Sequence, residues 1–271
     1  MVIHVGENQK SKIYLARPIS APSIFSSAVS IVIPFHGQYE LTTKLLESIV
    51  FFTKSNYYEL CLVDDASPNS SYLGVLEKNL NKRRSNIASV KCIQSTEQLG
   101  FGGAMRLGFS HTTHPYVVFI NSDCLIEEPN WLRSMGESLL NLKSQNVRMV
   151  SAKTNNPVNG SDKQKGKKGE ESEDIILDKK ESMSLYCFMA HRELFDKLGG
   201  FIKSYPIGCY EDEEIAYRMD KYGYRQAVSG KSWVKHEGEM TIKSVLRRNP
   251  ILQEVIEENY ERCIEDIQKL G

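Results

Sequence analysis

Short apolar runs alternate along the chain with longer stretches in which apolar residues recur at helical spacing. Ser30–Pro34 (SIVIP) reads as a first strand, stopped by its proline. Tyr39–Thr53 follows as a helix, with Leu41, Leu45, Leu46, Ile49 and Phe52 on one face. Residues 59–64, 89–94 and 116–121 read as three more strands, separated by helices over 72–84 and over Phe101–Ser110 behind Gly100. Trp131–Leu142 is a further helix with Pro129 near its start. Strands over 147–152 and 184–190, a short helix ending at Leu198 before the Gly199-Gly200 turn, and a helix over Glu211–Tyr222 complete the pattern. Strand alternating with helix calls for right-handed crossovers, hence an α/β fold: a Rossmann-like, mostly parallel sheet flanked by helices.

Three segments fall outside that rhythm. Residues 1–28, with Pro18 and Pro22, read as an N-terminal arm lying on the domain of residues 29–240. Residues 155–182 are rich in Lys, Glu and Gly and carry few apolar side chains besides Ile175, Ile176 and Leu177. Such composition buries little surface, so a mobile loop is expected, acting as a lid or having no role. In the tail, over 241–271, Leu252, Val255, Ile256, Tyr260, Cys263, Ile264 and Ile267 share a helical stripe opposite a Glu-rich face. The stripe is expected to pack on its own domain or, alternatively, on a second copy as a homodimer; its acidic face disfavours anionic membrane.

Composition narrows the function classes. Among 271 residues, Lys+Arg and Asp+Glu are each 34, so a nucleic-acid partner, which asks for a basic excess, is not expected. No apolar run is long enough for a transmembrane helix, and the N-terminus lacks the basic-then-apolar order of a signal peptide. The six cysteines are scattered without a CxxC, and Cys61, Cys92 and Cys187 sit in apolar runs. Reduced thiols in a cytoplasmic setting are expected.

The chemistry concentrates at strand tips. Tyr116–Asp123 (YVVFINSD) is an apolar run ending in Asn121-Ser122-Asp123, and Leu60–Asp65 (LCLVDD) ends the same way. Ligands of open α/β sheets sit beyond the carboxyl ends of strands, so acids there suit a nucleotide–metal site; the plainer reading is turn or cap residues. Glu211-Asp212-Glu213-Glu214 open a helix, where the macrodipole favours acids, yet four in a row repel one another, and one is a candidate general base. His236 is either a packed imidazole or a second ligand beside Asp123, since Mn²⁺ accepts imidazole with carboxylate. Leu99–Gly103 (LGFGG) is either a tight turn or a place where backbone approaches a diphosphate; it is neither G-x-G-x-x-G nor a P-loop.

Taken in order, Ile31–Pro34, Val63–Ser67, Gln98–Ala104, Phe119–Asp123, Leu198–Phe201, Glu211–Ile215 and His236 resemble the inverting glycosyltransferase family 2, with its GT-A fold. The LGFGG and Asn-x-Asp pieces are most similar to its rhamnosyltransferase-like branch. The resemblance covers about residues 29–240 and implies a nucleotide-sugar donor, Mn²⁺ or Mg²⁺, and inversion at the anomeric carbon. It implies a donor site with Pro34, Phe35, Asp64, Asp65, Gly100, Gly102, Gly103, Arg106, Asn121 and Ser122. It further implies Asp123 and His236 on the metal, Asp212 as catalytic base, and Glu211 beside it in a structural or acceptor-binding role. Departures are Asn121 in place of the first acid of a DxD motif, Gln98 for the usual Asn, and Met105-Arg106 where Asn-Asn often follows. Ile202-Lys203 stands where an acid is usual.

The expected acceptor is a glycan, or a lipid-linked or protein-linked sugar, in glycan or cell-surface polysaccharide synthesis. An acceptor of that kind could hold the protein peripherally at a membrane. Two rivals remain. A nucleotidyltransferase would want a basic N-terminal loop, and Ile33–Gly37 (IPFHG) has neither Lys nor Arg. An inactive nucleotide-binding module would be expected to lack Asp123, Asp212 or His236, and all three are present.

Overall fold

The computed structural model describes residues 28–53, 57–69, 87–158, 160–179, 181–201, 205–206, 208–238 and 252–270, with isolated positions between them. The expected arm, apart from its last residue, lies outside the described residues. So does most of the expected 72–84 helix, of which Leu76 and Leu80 are helical and buried.

Strand β1 (Val29–Phe35) is buried along its whole length. It pairs in parallel with β2 (Tyr58–Asp64) on one side and β4 (Tyr116–Ile120) on the other, and β3 (Ile87–Gln94) adds in parallel to β2. Beyond β4 the pairing reverses. β8 (Cys187–His191) runs antiparallel to both β4 and β6 (Val147–Lys153), and β6 is parallel to β9 (Arg225–Trp233). Among the described residues the sheet has eight strands, closed at its far edge by β7 (Ile175–Ile176). The sheet is mostly parallel as expected; β8 departs because no crossover helix separates it from β6, and parallel neighbours need one. A separate ribbon pairs β5 (Cys124–Leu125) with β10 (Lys235–His236).

Helices cover both faces. On one, α1 (Tyr39–Phe52) and α3 (Trp131–Asn141) bury Leu45, Ile49, Trp131 and Met135 against Ile31, Ile33, Leu60 and Leu62. On the other, α2 (Gly100–Ser110), α4 (Glu193–Lys197) and α5 (Glu211–Lys221) pack Met105, Phe195, Ile215 and Met219 with Val32, Val63 and Phe119. Alternate residues of β1 thus serve opposite cores, as the period-2 geometry of a strand requires. Gly108 lets α2 lie close on the sheet: a Cβ there would meet Val32 Cγ1 at 2.4 Å.

Two expectations from the pattern change. Residues 155–182, expected to be mobile, are tied to the sheet. Ile175 and Ile176 pair with β9, Gln164 is fully buried on Ser151 and Ser184, and Lys153 donates to Glu170 O at 2.6 Å. Ser138 and Gly230 both bond the Asp174 carboxylate. Buried, satisfied polar groups order this stretch in place of apolar area. In the tail, α6 (Leu252–Leu270) packs on α5, but Tyr260, assigned to the apolar stripe, is 49% exposed. The neighbouring Asn259 is buried instead, donating to Pro206 O at 2.7 Å and Gly208 O at 2.8 Å.

Candidate active site

Parallel register sets Phe35 beside Asp64 and Val32 beside Phe119, so the carboxyl tips of β1, β2 and β4 open on one edge of the sheet. The expected site residues gather on this edge, but not all in the expected role. Pro34 and Phe35 close β1, and the Phe35 ring is committed to the core. The Asp64 carboxylate accepts from Ser67 N at 2.9 Å and faces Gln94 Nε2 at 3.5 Å; burial raises it above the usual carboxylate range.

Asp65 acts as a cap. It accepts Leu99 N at 2.6 Å and Gly100 N at 3.1 Å, and burial pushes its carboxyl up to about 6. The buried side chain of Glu211 lies near the same helix start, where the backbone N–H groups of Gly102 and of Glu211 itself partly offset the desolvation of its carboxyl. The N-terminus of α2 was expected to meet a diphosphate; its N–H groups at Leu99 and Gly100 are taken by Asp65. Gly100, at φ +73°, opens the helix, Gly102 and Gly103 are buried in its first turn, and Arg106 stands exposed further along.

Asp123 and His236 are brought together by the β5–β10 ribbon, where Cys124 pairs with His236. Both side chains are buried, with His236 Nε2 3.4 Å from Asp123 Oδ1. Nδ1 of the same ring lies 2.8 Å from Asn156 O, a carbonyl that can only accept, so the proton is assigned to Nδ1. Nε2 then carries a lone pair, is buried without a hydrogen-bond partner, and faces a carboxylate. A carboxylate and a lone-pair nitrogen this close are able to hold a cation, and the residues fit one. Asn121 Oδ1, two residues before Asp123, is also buried without a partner. Among the described residues, Asp123, Cys124 and His236 offer ligand atoms within 4.8 Å of one another. Burial holds the Cys124 thiol neutral, and its Sγ turns to Tyr186 O at 3.5 Å, which leaves carboxylate and imidazole as the donors for a hard ion. Ser122 is buried between these groups.

The acids of α5 divide by environment. The turn before them is strained, with Cys209 at φ 79° and Tyr210 at φ 70°, and α6 holds it through Asn259 and a Cys263 Sγ contact to Tyr210 O at 3.6 Å. Glu211 is buried and pushed up to about 8, chiefly by desolvation. Asp212, half-buried, is raised well above the usual range by burial and by its hydrogen-bonded neighbour Glu213. Glu214 pairs with Arg218 at 2.9 Å, and Arg218 also donates to Gly200 O and Phe201 O, which fixes the Gly199-Gly200-Phe201 turn.

Sequence reading missed the residues around His236. Tyr186 stacks on its ring, 4.9 Å between centroids at 18°, with its hydroxyl bonded to Ala152 O. Asn155 accepts from His236 N at 2.9 Å and donates to His236 O at 3.1 Å. In the sequence, Asn155-Asn156-Pro157 carries only a turn signal.

A family model described as "Glycosyl transferase family 2" matches residues 30–199. A dolichyl-phosphate beta-glucosyltransferase of Saccharomyces cerevisiae is 28% identical over 98 residues, 35% of this chain and 29% of that protein. The structure of S. aureus TarS 1-349 in complex with UDP-GlcNAc superposes with a TM-score of 0.55 at 18% identity, over 77% of this chain and 58% of that one. The mannosyltransferase PcManGT from Pyrobaculum calidifontis, in complex with GDP-Man and Mn²⁺, gives 0.58 at 15% identity, over 93% and 76%.

Proposed function

The chain belongs to glycosyl transferase family 2 and has the GT-A fold, and from that premise we propose that it moves a sugar from a nucleoside-diphosphate donor to a hydroxyl acceptor, with inversion at the anomeric carbon. The observation that carries the proposal is the buried Asp123–His236 pair, whose bare Nε2 lies 3.4 Å from a carboxylate at the donor edge of the sheet. Asp123 and His236 would hold Mn²⁺ or Mg²⁺, which would neutralise the charge growing on the departing diphosphate. Asn121 and Ser122 would meet the donor beside it. Asp64 and Asp65 would border the nucleoside, with Asp65 also holding the start of α2.

Asp212 is the proposed base. It is the less buried of the two leading acids, and its raised affinity for a proton suits a group that must take one from a hydroxyl near neutral pH. Glu211, turned into α2, supports it. The LGFGG and Asn-x-Asp pieces favour a hexosyl or deoxyhexosyl donor of the rhamnosyltransferase-like branch, and an acceptor that is a glycan or a lipid-linked or protein-linked sugar. No described helix is long and apolar enough to cross a membrane.

The test is a panel of UDP-, GDP- and dTDP-sugars with Mn²⁺, first by thermal shift and then by product analysis. Release of nucleoside diphosphate with an inverted anomeric centre supports glycosyl transfer. Release of pyrophosphate points to nucleotidyl transfer, and binding without turnover to an inactive module.

A further inference from the structure

The ribbon that brings Asp123 to His236 is short. β5 and β10 contribute two residues each, and so small a ladder has little stability of its own. His236 nonetheless sits in one defined position, and its constraints come from residues 154–158, far away in sequence. We propose that Asn155, acting with Asn156, is a positioning residue for the cation site. The inference rests on the reading of Asp123 and His236 as the cation's holders.

The side-chain amide of Asn155 behaves like an added rung of the ribbon. Its Oδ1 takes the His236 N–H at 2.9 Å and its Nδ2 gives to the His236 carbonyl at 3.1 Å, so one side chain meets both backbone groups of that residue. Asn156 then fixes the ring. Its carbonyl takes the Nδ1 proton at 2.8 Å, which leaves Nε2 as the lone-pair atom facing Asp123. Rotating the ring by half a turn would break that bond and withdraw Nε2. Gly238 closes the arrangement from the other side. At φ +82° it lies so near Asn156 that a Cβ would meet Asn156 Nδ2 at 2.3 Å. Metal-bound histidines generally depend on such outer partners for orientation and tautomer. The start of the Lys-rich segment is therefore a strut for the cation site.

Asn155 is itself exposed, so Asn155→Ala removes these two bonds and a longer one accepted from Thr154 Oγ1 at 3.3 Å, and no core packing. The experiment titrates Mn²⁺ by calorimetry into the wild type, Asn155→Ala, Gly238→Ala and His236→Ala, each with UDP and with GDP. In parallel, long-range imidazole NMR correlations report the His236 tautomer in the metal-free protein. Mn²⁺ affinity should fall roughly 10–100-fold in Asn155→Ala at unchanged melting temperature. The wild-type ring should carry its proton on Nδ1, and the variant should show a mixture of tautomers. If His236→Ala loses Mn²⁺ while Asn155→Ala binds it as the wild type does, with its tautomer unchanged, the positioning role is wrong and the cation site stands. If the wild type binds no Mn²⁺ with either nucleotide, the cation reading falls and takes this inference with it.

Discussion

Replacing Glu211 by Gln should make the protein more stable, and increasingly so as pH rises. Glu211 is 2% exposed, and desolvation carries its carboxyl from 4.5 to about 8. Below the lower value both folded and unfolded chains hold the proton, and the group contributes no pH dependence. Between the two values the unfolded chain ionises while the folded one stays protonated, so the unfolded state is favoured more with each step. The slope is about 1.4 kcal/mol per pH unit, and the whole window costs the fold on the order of 5 kcal/mol. Gln cannot ionise and removes this slope. Other raised acids, such as Asp212, act in the same direction but are common to both proteins. The difference between Glu211→Gln and wild type therefore reports on Glu211 together with its charge effect on Asp212. Melting curves from about pH 4.5 to about pH 8 read it. At roughly 2–4 °C per kcal/mol, the variant's advantage should grow from near zero to the order of 10 °C. A difference that stays constant across that range would refute the assignment of Glu211 as a buried, protonated acid.

Asp212→Asn should lower kcat roughly 10²–10⁴-fold with donor affinity unchanged, because the base acts on the acceptor hydroxyl and not on the diphosphate. Glu211→Gln should hurt turnover less, and the opposite ranking would exchange the two roles. Asp123→Asn should abolish Mn²⁺-dependent binding of nucleoside diphosphate while the melting temperature holds, and equal metal-dependent affinity in calorimetry would remove Asp123 from the cation. Glu214→Ala should cost about 3–5 kcal/mol in urea unfolding, since it leaves Arg218 charged in a site where its side chain is 5% exposed. A wild-type midpoint there would mean that the backbone carbonyls around the Gly199-Gly200-Phe201 turn suffice for Arg218.

What the sequence made legible follows from how each part is stabilised. β1, β2 and β4 are covered by helices on both faces, so they read as unbroken apolar runs and their acidic tips stand out. Asp123 and His236 could be named as chemical types, but only the two-residue ribbon reveals that they meet. The orientation of β8 was not legible, since residues 187–191 look the same in either direction. The ties of residues 155–182 to the sheet were not legible because composition counts apolar area, whereas they are made by Lys153, Gln164 and Asp174, polar groups whose partners lie elsewhere in the chain. The tail was misread at one position for a related reason: Asn259 takes the buried place through the carbonyls of Pro206 and Gly208, which no helical periodicity announces.

The electrostatics of this edge explain how so many acids can border a site proposed for an anionic donor. A nucleoside diphosphate would be repelled by ionised Asp65, Glu211 and Asp212. Burial opposes that ionisation, holding Asp65 at about 6, Glu211 at about 8 and Asp212 well above its usual range. The carboxyls that are most ionised are also the ones already used: Asp65 spends its charge on two N–H groups of α2. What stays unpartnered on the edge is His236 Nε2, which faces the Asp123 carboxylate, and the Oδ1 of Asn121. These are donors for a cation, and a cation is what would make the same edge attractive to a diphosphate.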